Sequence, residues 1–111
     1  MEEIKVNEYV RLRNGDVTRV KAINEKTFKC KFHKVNCELF IDFIVKHSSN
    51  IIDLIEVGDY VNGKEVIGKF YEESLKVLIL DTRLNAKCRS EDIKSIVTKE
   101  QFANAEYRLE E

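Results

Sequence analysis

Two stretches of the chain carry the same pattern. Val6-Asn7-Glu8-Tyr9-Val10 is followed by Asn14-Gly15, and Val57-Gly58-Asp59-Tyr60-Val61 is followed by Asn62-Gly63. Further on, Asp42-Phe43-Ile44-Val45-Lys46 is echoed by Asp92-Ile93-Lys94-Ser95-Ile96. Tyr60 follows Tyr9 by 51 positions and Asp92 follows Asp42 by 50. Two separated landmarks at nearly one offset imply two copies of one structural unit. Chance is the competing reading, because β-rich chains reuse Val, Tyr and Asn-Gly. The pattern divides the chain into units at 1–50 and 51–111. Units that short have marginal cores, so the two are expected to pack together or share strands.

The local pattern is that of short strands. Val10 and Leu12 alternate with Arg11 and Arg13, and Asn14-Gly15 is a strong hairpin signal because glycine accepts positive φ. Val17 to Ile23 reads as the return strand. Thr27 to His33 alternates strictly, with Phe28, Cys30 and Phe32 on one face and Lys29, Lys31 and His33 on the other. Glu38 to Val45 is more continuously apolar and reads as a strand buried on both faces. Ser48-Ser49-Asn50 offers caps for a helical turn near 51–55. In the second unit Tyr60-Val61, Glu65–Tyr71 and Lys76–Leu80 read as strands, Asp81–Asn85 as a loop, and Ala86–Arg89 as a further short strand. Thr98-Lys99-Glu100-Gln101 matches a capping box and opens a helix at 99–105. Tyr107-Arg108-Leu109 reads as a last strand. The expected fold is mainly β: two tandem SH3-like small barrels, with short helical turns near 51–55 and 99–105.

Charge separates the halves. The net charge is −1 over 111 residues, but residues 1–50 carry ten Lys/Arg against seven Asp/Glu, and residues 51–111 carry nine against thirteen. Residues 9–34 hold eight Lys/Arg and two Asp/Glu. If the first three strands form a meander, Arg11, Arg13, Arg19, Lys21, Lys29 and Lys31 share one face. Such a patch suits phosphates or an acidic protein surface, and a plain solvated sheet face is the bland alternative. Phe28 and Phe32 fall on the core side, which leaves that face short of the stacking platforms that single-strand binders add.

No chemistry is written elsewhere. Cys30, His33, Cys37, His47 and Cys88 are ligand types zinc accepts. There is no Cys-x-x-Cys, however, and Cys30 and His33 lie on opposite strand faces, so no metal or cofactor is expected. The odd cysteine count and the acidic, signal-free start read as reduced thiols in a cytoplasmic protein. Asp53, Glu56, Asp59, Glu65, Glu72, Glu73 and Asp81 show no catalytic spacing. Asp59 matches Glu8 in the repeat, which suggests a shared turn or cap. Tyr9 and Tyr60 are also equivalent, and read first as packing residues and second as interface anchors.

The runs Asn50–Gly63 and Glu91–Phe102 resemble small proteins carried by phages, prophages and mobile elements of Firmicutes and related bacteria. The resemblance implies an intracellular, non-enzymatic accessory protein and supplies no catalytic residues. It points to a binding protein that occupies a surface of a host protein or ribonucleoprotein complex, as anti-CRISPR and other anti-defence proteins do. The alternative is a nucleic-acid-binding module of the KOW or Tudor kind that uses the basic face of the first unit.

Overall fold

Glycine and asparagine at positive φ set the turns that start each unit. The computed structural model describes residues 3–32, 34–72, 74–80 and 87–105. The Tyr107–Leu109 strand, the Asp81–Asn85 loop and His33 lie outside the described residues. The chain divides into two units, Met1–Leu54 and Ile55–Glu111. It is mainly β, with one short helix among the described residues.

The first unit contains β1 (Tyr9–Leu12), β2 (Val17–Arg19), β3 (Ala22–Ile23), β4 (Thr27–Phe32), β5 (Val35–Phe40), a 3₁₀ turn at Ile41–Phe43, β6 (Ile44–Ser48) and a second 3₁₀ turn at Ile51–Leu54. These strands make two antiparallel sheets, β2-β1-β6 and β3-β4-β5. The chain changes sheet at Val20–Lys21. There the Val20 N–H donates to the Glu8 carbonyl at 2.9 Å and the Lys21 N–H to the Lys29 carbonyl at 2.8 Å. A strand that switches sheets in this way makes the corner of a small β fold. The core is Ile4, Val10, Leu12, Val20, Phe28, Cys30 and Ile44, with Phe32, Leu39 and Ile41 packed against it. The period-two pattern of β4 is realised: Phe28 and Cys30 are buried while Lys29 and Lys31 are exposed.

The second unit contains β7 (Tyr60–Val61), β8 (Lys64–Glu72), β9 (Leu75–Leu80), β10 (Lys87–Cys88), a 3₁₀ turn at Ser90–Asp92, β11 (Ile96–Val97) and α1 (Lys99–Ala105). Its strands form one sheet in the order β10-β9-β8-β7-β11. Val61, Val66, Val77, Leu78, Leu80 and Cys88 are buried. The capping box that opens α1 is present in both directions. The Gln101 N–H donates to Thr98 Oγ1 at 3.3 Å, and the Thr98 N–H donates to Gln101 Oε1 at 3.0 Å.

The two units share an order of elements. Among the described residues, a 3₁₀ turn precedes the last strand of each unit, and that strand pairs antiparallel with the first: β6 with β1, and β11 with β7. β2 and β3 together stand where the single strand β8 stands; β8 bends instead through a register irregularity between Val66 and Gly68. Among the described residues none of the three sheets closes on itself.

The correspondence reaches single hydrogen bonds. Asn7 and Gly58 occupy the same turn position, at φ 74° and 99°. The Lys5 N–H donates to Glu8 Oε1 at 2.8 Å, and the Glu56 N–H to Asp59 Oδ2 at 2.7 Å. The Asn7 N–H donates to the Val20 carbonyl at 2.8 Å, and the Gly58 N–H to the Val66 carbonyl at 3.0 Å. Glu8 and Asp59 each lock the turn that feeds the first strand of a unit.

Two strand expectations are corrected. Val17–Ile23 is not one return strand: the change of sheet at Val20–Lys21 divides it into β2 and β3. Glu38–Val45 is not a strand buried on both faces; the 3₁₀ turn Ile41–Phe43 divides it. Phe40, Phe43 and Val45 are 64%, 40% and 47% exposed. The apolar run reads as continuous because hydropathy does not register the change of direction between β5 and β6.

Candidate binding surface

The six cations singled out from the sequence do not share one face. Arg11 is a correction: it is 1% exposed. β1 is the central strand of its sheet, and the 3₁₀ turn Ile51–Leu54 packs beside it. Arg11 Nη1 donates to the Leu54 carbonyl at 2.9 Å, one of the last carbonyls of that turn. Strand alternation placed Arg11 correctly opposite Val10 and Leu12, but both sides of β1 are covered.

The other five, Arg13, Arg19, Lys21, Lys29 and Lys31, are exposed. Arg19 is on the β2-β1-β6 sheet, Lys29 and Lys31 are on the β3-β4-β5 sheet, and Arg13 and Lys21 lie just outside strands, so the expected meander face is divided. Lys21 and Lys29 line one open groove of about 410 Å³ together with Ala22, Cys30, Asn36, Cys37 and Glu38. Lys31 stands two positions along β4 from Lys29, on the same strand face. Glu38 sits directly across from Lys29 in the β4–β5 register and offsets part of its charge. Arg19 lies on β2 and Arg13 follows β1, and each lies over an aromatic ring. The Arg19 guanidinium is 5.0 Å from the Tyr9 ring centroid, and its Nε donates to the Asn7 carbonyl at 2.9 Å. The Arg13 guanidinium is 6.0 Å from the Phe43 centroid.

The structure adds aromatics that the sequence reading missed. Phe28 and Phe32 face the core as expected, but Phe40 and Phe43 are exposed at the junction of β5 and β6. The missed signal was Asp42 inside the apolar run, which falls within the 3₁₀ turn Ile41–Phe43 as Asp92 falls within the turn Ser90–Asp92. In the second unit, Ile67, Phe70, Ile79 and Lys87 line a shallow apolar groove of about 420 Å³. Lys87 Nζ lies 5.6 Å from the Phe70 centroid and 3.4 Å from Glu72 Oε2.

The remaining polar candidates have structural work. His47 Nδ1 is 3.0 Å from Glu8 Oε1. Burial raises the Glu8 pKa, but the Lys5 N–H and His47 lower it further, so the group ends below the ordinary glutamate value. Asp59 is fully buried, and its second oxygen accepts the Lys99 N–H at 2.9 Å, which ties the turn to the start of α1. Ser48 Oγ donates to Asp53 Oδ2 at 2.6 Å, and Lys99 Nζ pairs with Glu56 at 2.7 Å. Tyr60 stacks on Phe102 at 5.1 Å. Glu73 and Asp81 lie outside the described residues. Among the described residues no three His, Cys, Asp or Glu side chains are grouped to hold a metal. No helix among them is long and apolar enough to cross a membrane.

Comparison with protein-family models, with curated proteins and with solved structures finds no match to the chain.

Proposed function

We propose that the chain is a non-catalytic binding protein of the cytoplasm, of mobile-element type, built from two SH3-like units. Its role is to occupy a surface of a host protein or ribonucleoprotein complex, in the manner of anti-CRISPR and other anti-defence proteins. The SH3-like reading is supported by the shared order of strands, by the 3₁₀ turn before each last strand, and by the pairing of last strand with first. The observation that carries the binding role is the set of exposed cations on the first unit: Arg13, Arg19, Lys21, Lys29 and Lys31. Long cations on a rigid β scaffold suit an acidic partner, giving specificity and a fast encounter. Tagged protein mixed with a bacterial host lysate should retain a partner that Arg13→Glu/Lys21→Glu/Lys29→Glu/Lys31→Glu loses, while circular dichroism shows the variant folded. Equal retention by both proteins removes the cations from the argument.

A second reading, direct binding of single-stranded nucleic acid, is favoured by one observation. Phe40 and Phe43 are exposed, and Arg13 lies against Phe43. Exposed rings beside cations are what base stacking and backbone tracking need. Fluorescence anisotropy with labelled single-stranded DNA and RNA at low salt decides it. Absence of binding at low salt ends this reading. Binding that weakens with Phe40→Ala/Phe43→Ala and with added salt establishes it.

A further inference from the structure

We infer that Cys30 and Cys37 form a reactive cross-strand dithiol, a modification site for small anionic disulfides that closes into an intrachain disulfide. The two residues are direct partners in the antiparallel register of β4 and β5. Side chains of directly opposed residues project from the same face of the sheet. Opposed residues have Cα atoms about 4.5–5.5 Å apart, inside the range of roughly 4.4–6.8 Å that disulfides span. Both cysteines are free thiols.

Their surroundings assign different roles. Cys30 is 1% exposed and belongs to the core cluster, whereas Cys37 is half-buried and packs against that cluster. Both line the groove that Lys21 and Lys29 also line. A reagent in the groove therefore meets Cys37 first. Burial pushes the Cys30 thiol up, and the neighbouring Cys37 sulfur adds to the rise, so Cys30 is the poorer first nucleophile. The lysines favour a reagent with carboxylates, such as oxidised glutathione, over a cationic one such as cystamine.

The chemistry is thiol–disulfide exchange. The Cys37 thiolate attacks one sulfur of the small disulfide. A mixed disulfide forms, and the first small thiolate leaves and takes up a proton. The Cys30 thiol loses its proton to solvent, and its sulfur attacks the Cys37 sulfur and expels the second small thiolate. The protein pair gives up two electrons and the small disulfide becomes two thiols. Cys88 is buried in the second unit, has no such partner in register, and serves as an internal control.

The experiment treats the folded full chain with oxidised glutathione, quenches with acid, denatures, alkylates and maps peptides by mass spectrometry. The expected product is a disulfide joining the peptides that carry Cys30 and Cys37, with Cys88 alkylated. Cys30→Ser should instead accumulate the glutathione adduct on Cys37. Cys37→Ser should leave the remaining thiols alkylated, and it replaces a half-buried residue should the core substitution fail to fold. Full alkylation of Cys30 and Cys37 in the treated wild type, or an adduct on Cys37 that never resolves, overturns the dithiol. The wild type should prefer glutathione disulfide to cystamine, and Lys21→Glu/Lys29→Glu should lower that rate ratio ~3-fold or more. An unchanged ratio overturns the anionic-reagent assignment.

Discussion

At the scale of single residues, burial decides what a charge is for. Arg11 sits in the most basic stretch of the sequence, yet it is a structural residue that donates to the Leu54 carbonyl. Arg11→Ala removes that donor and opens space in a closed interior, so it should destabilise the protein by about 2–4 kcal/mol. Lys29→Ala and Lys31→Ala, at exposed positions of β4, should stay within about 0.5 kcal/mol. Urea unfolding of the three variants checks the contrast; a neutral Arg11→Ala would remove the structural role. A surface test of binding must therefore leave Arg11 intact. Glu8 gives a pH prediction of definite sign. Its folded pKa lies below its unfolded value, because the Lys5 N–H and His47 outweigh the effect of burial. The stabilisation is then present above about pH 4.3, the ordinary glutamate value, and is lost as pH falls through the folded value. Glu8→Gln should be less stable than wild type at neutral pH, and the difference should shrink on acidification. A difference that is constant from neutral pH into the acid range would refute the assignment. Neither effect was legible from residue type. Alternation located Arg11 on its strand face, but only the packing of Ile51–Leu54 shows that this face is closed.

At the scale of elements, the turn before the first strand of each unit is the most informative piece. Gly58 has φ 99°, and a Cβ there would meet nothing closer than the Lys99 Cδ at 3.7 Å. Space is thus available, and the penalty of Gly58→Ala is backbone strain alone, about 1–2 kcal/mol. Asn7 holds the equivalent position at φ 74°, where Asn7→Gly should be neutral or slightly stabilising. Thermal unfolding of both variants tests whether the two turns are one device used twice. Equal destabilisation by both substitutions would contradict it. The element scale is also where the sequence was read best. The Asn-Gly hairpins, the β4 alternation and the Thr98–Gln101 box are encoded within a few residues, and each forms as expected. Asp59 and Glu8 were matched from their place in the repeat, and their carboxylates hold matching N–H groups. The reading failed where direction changes without a hydropathy signal. The break at Ile41–Phe43 turned a supposed buried strand into a junction bearing exposed Phe40 and Phe43. The Cys30–Cys37 pairing was missed as well, because the register between β4 and β5 is a two-strand property.

At the scale of the whole molecule, a net charge of −1 conceals two units of opposite character. With the division at Leu54, residues 1–54 carry ten Lys/Arg and eight Asp/Glu, and residues 55–111 carry nine and twelve. Composition made this asymmetry legible, but not the two-sheet arrangement that separates Arg13 and Arg19 from Lys21, Lys29 and Lys31. The consequence is that any anionic partner should be read by one unit only. Reversing Lys21, Lys29 and Lys31 to Glu should abolish retention on an anionic column such as heparin. Reversing Lys64, Lys69 and Lys94, exposed residues of the second unit, should leave retention unchanged. The salt dependence sharpens the prediction where the anion is a single-stranded nucleic acid. Each phosphate contact contributes about −0.7 to the slope of log affinity against log salt, so three or four cations give a slope of roughly −2 to −3. Removing Arg13 from the set should reduce that slope by less than one contact if only the Lys21–Lys31 side is used, and by about one contact if Phe43 and Arg13 lie on the same path. Equal losses from reversals in either unit would mean that the charge asymmetry plays no part in recognition.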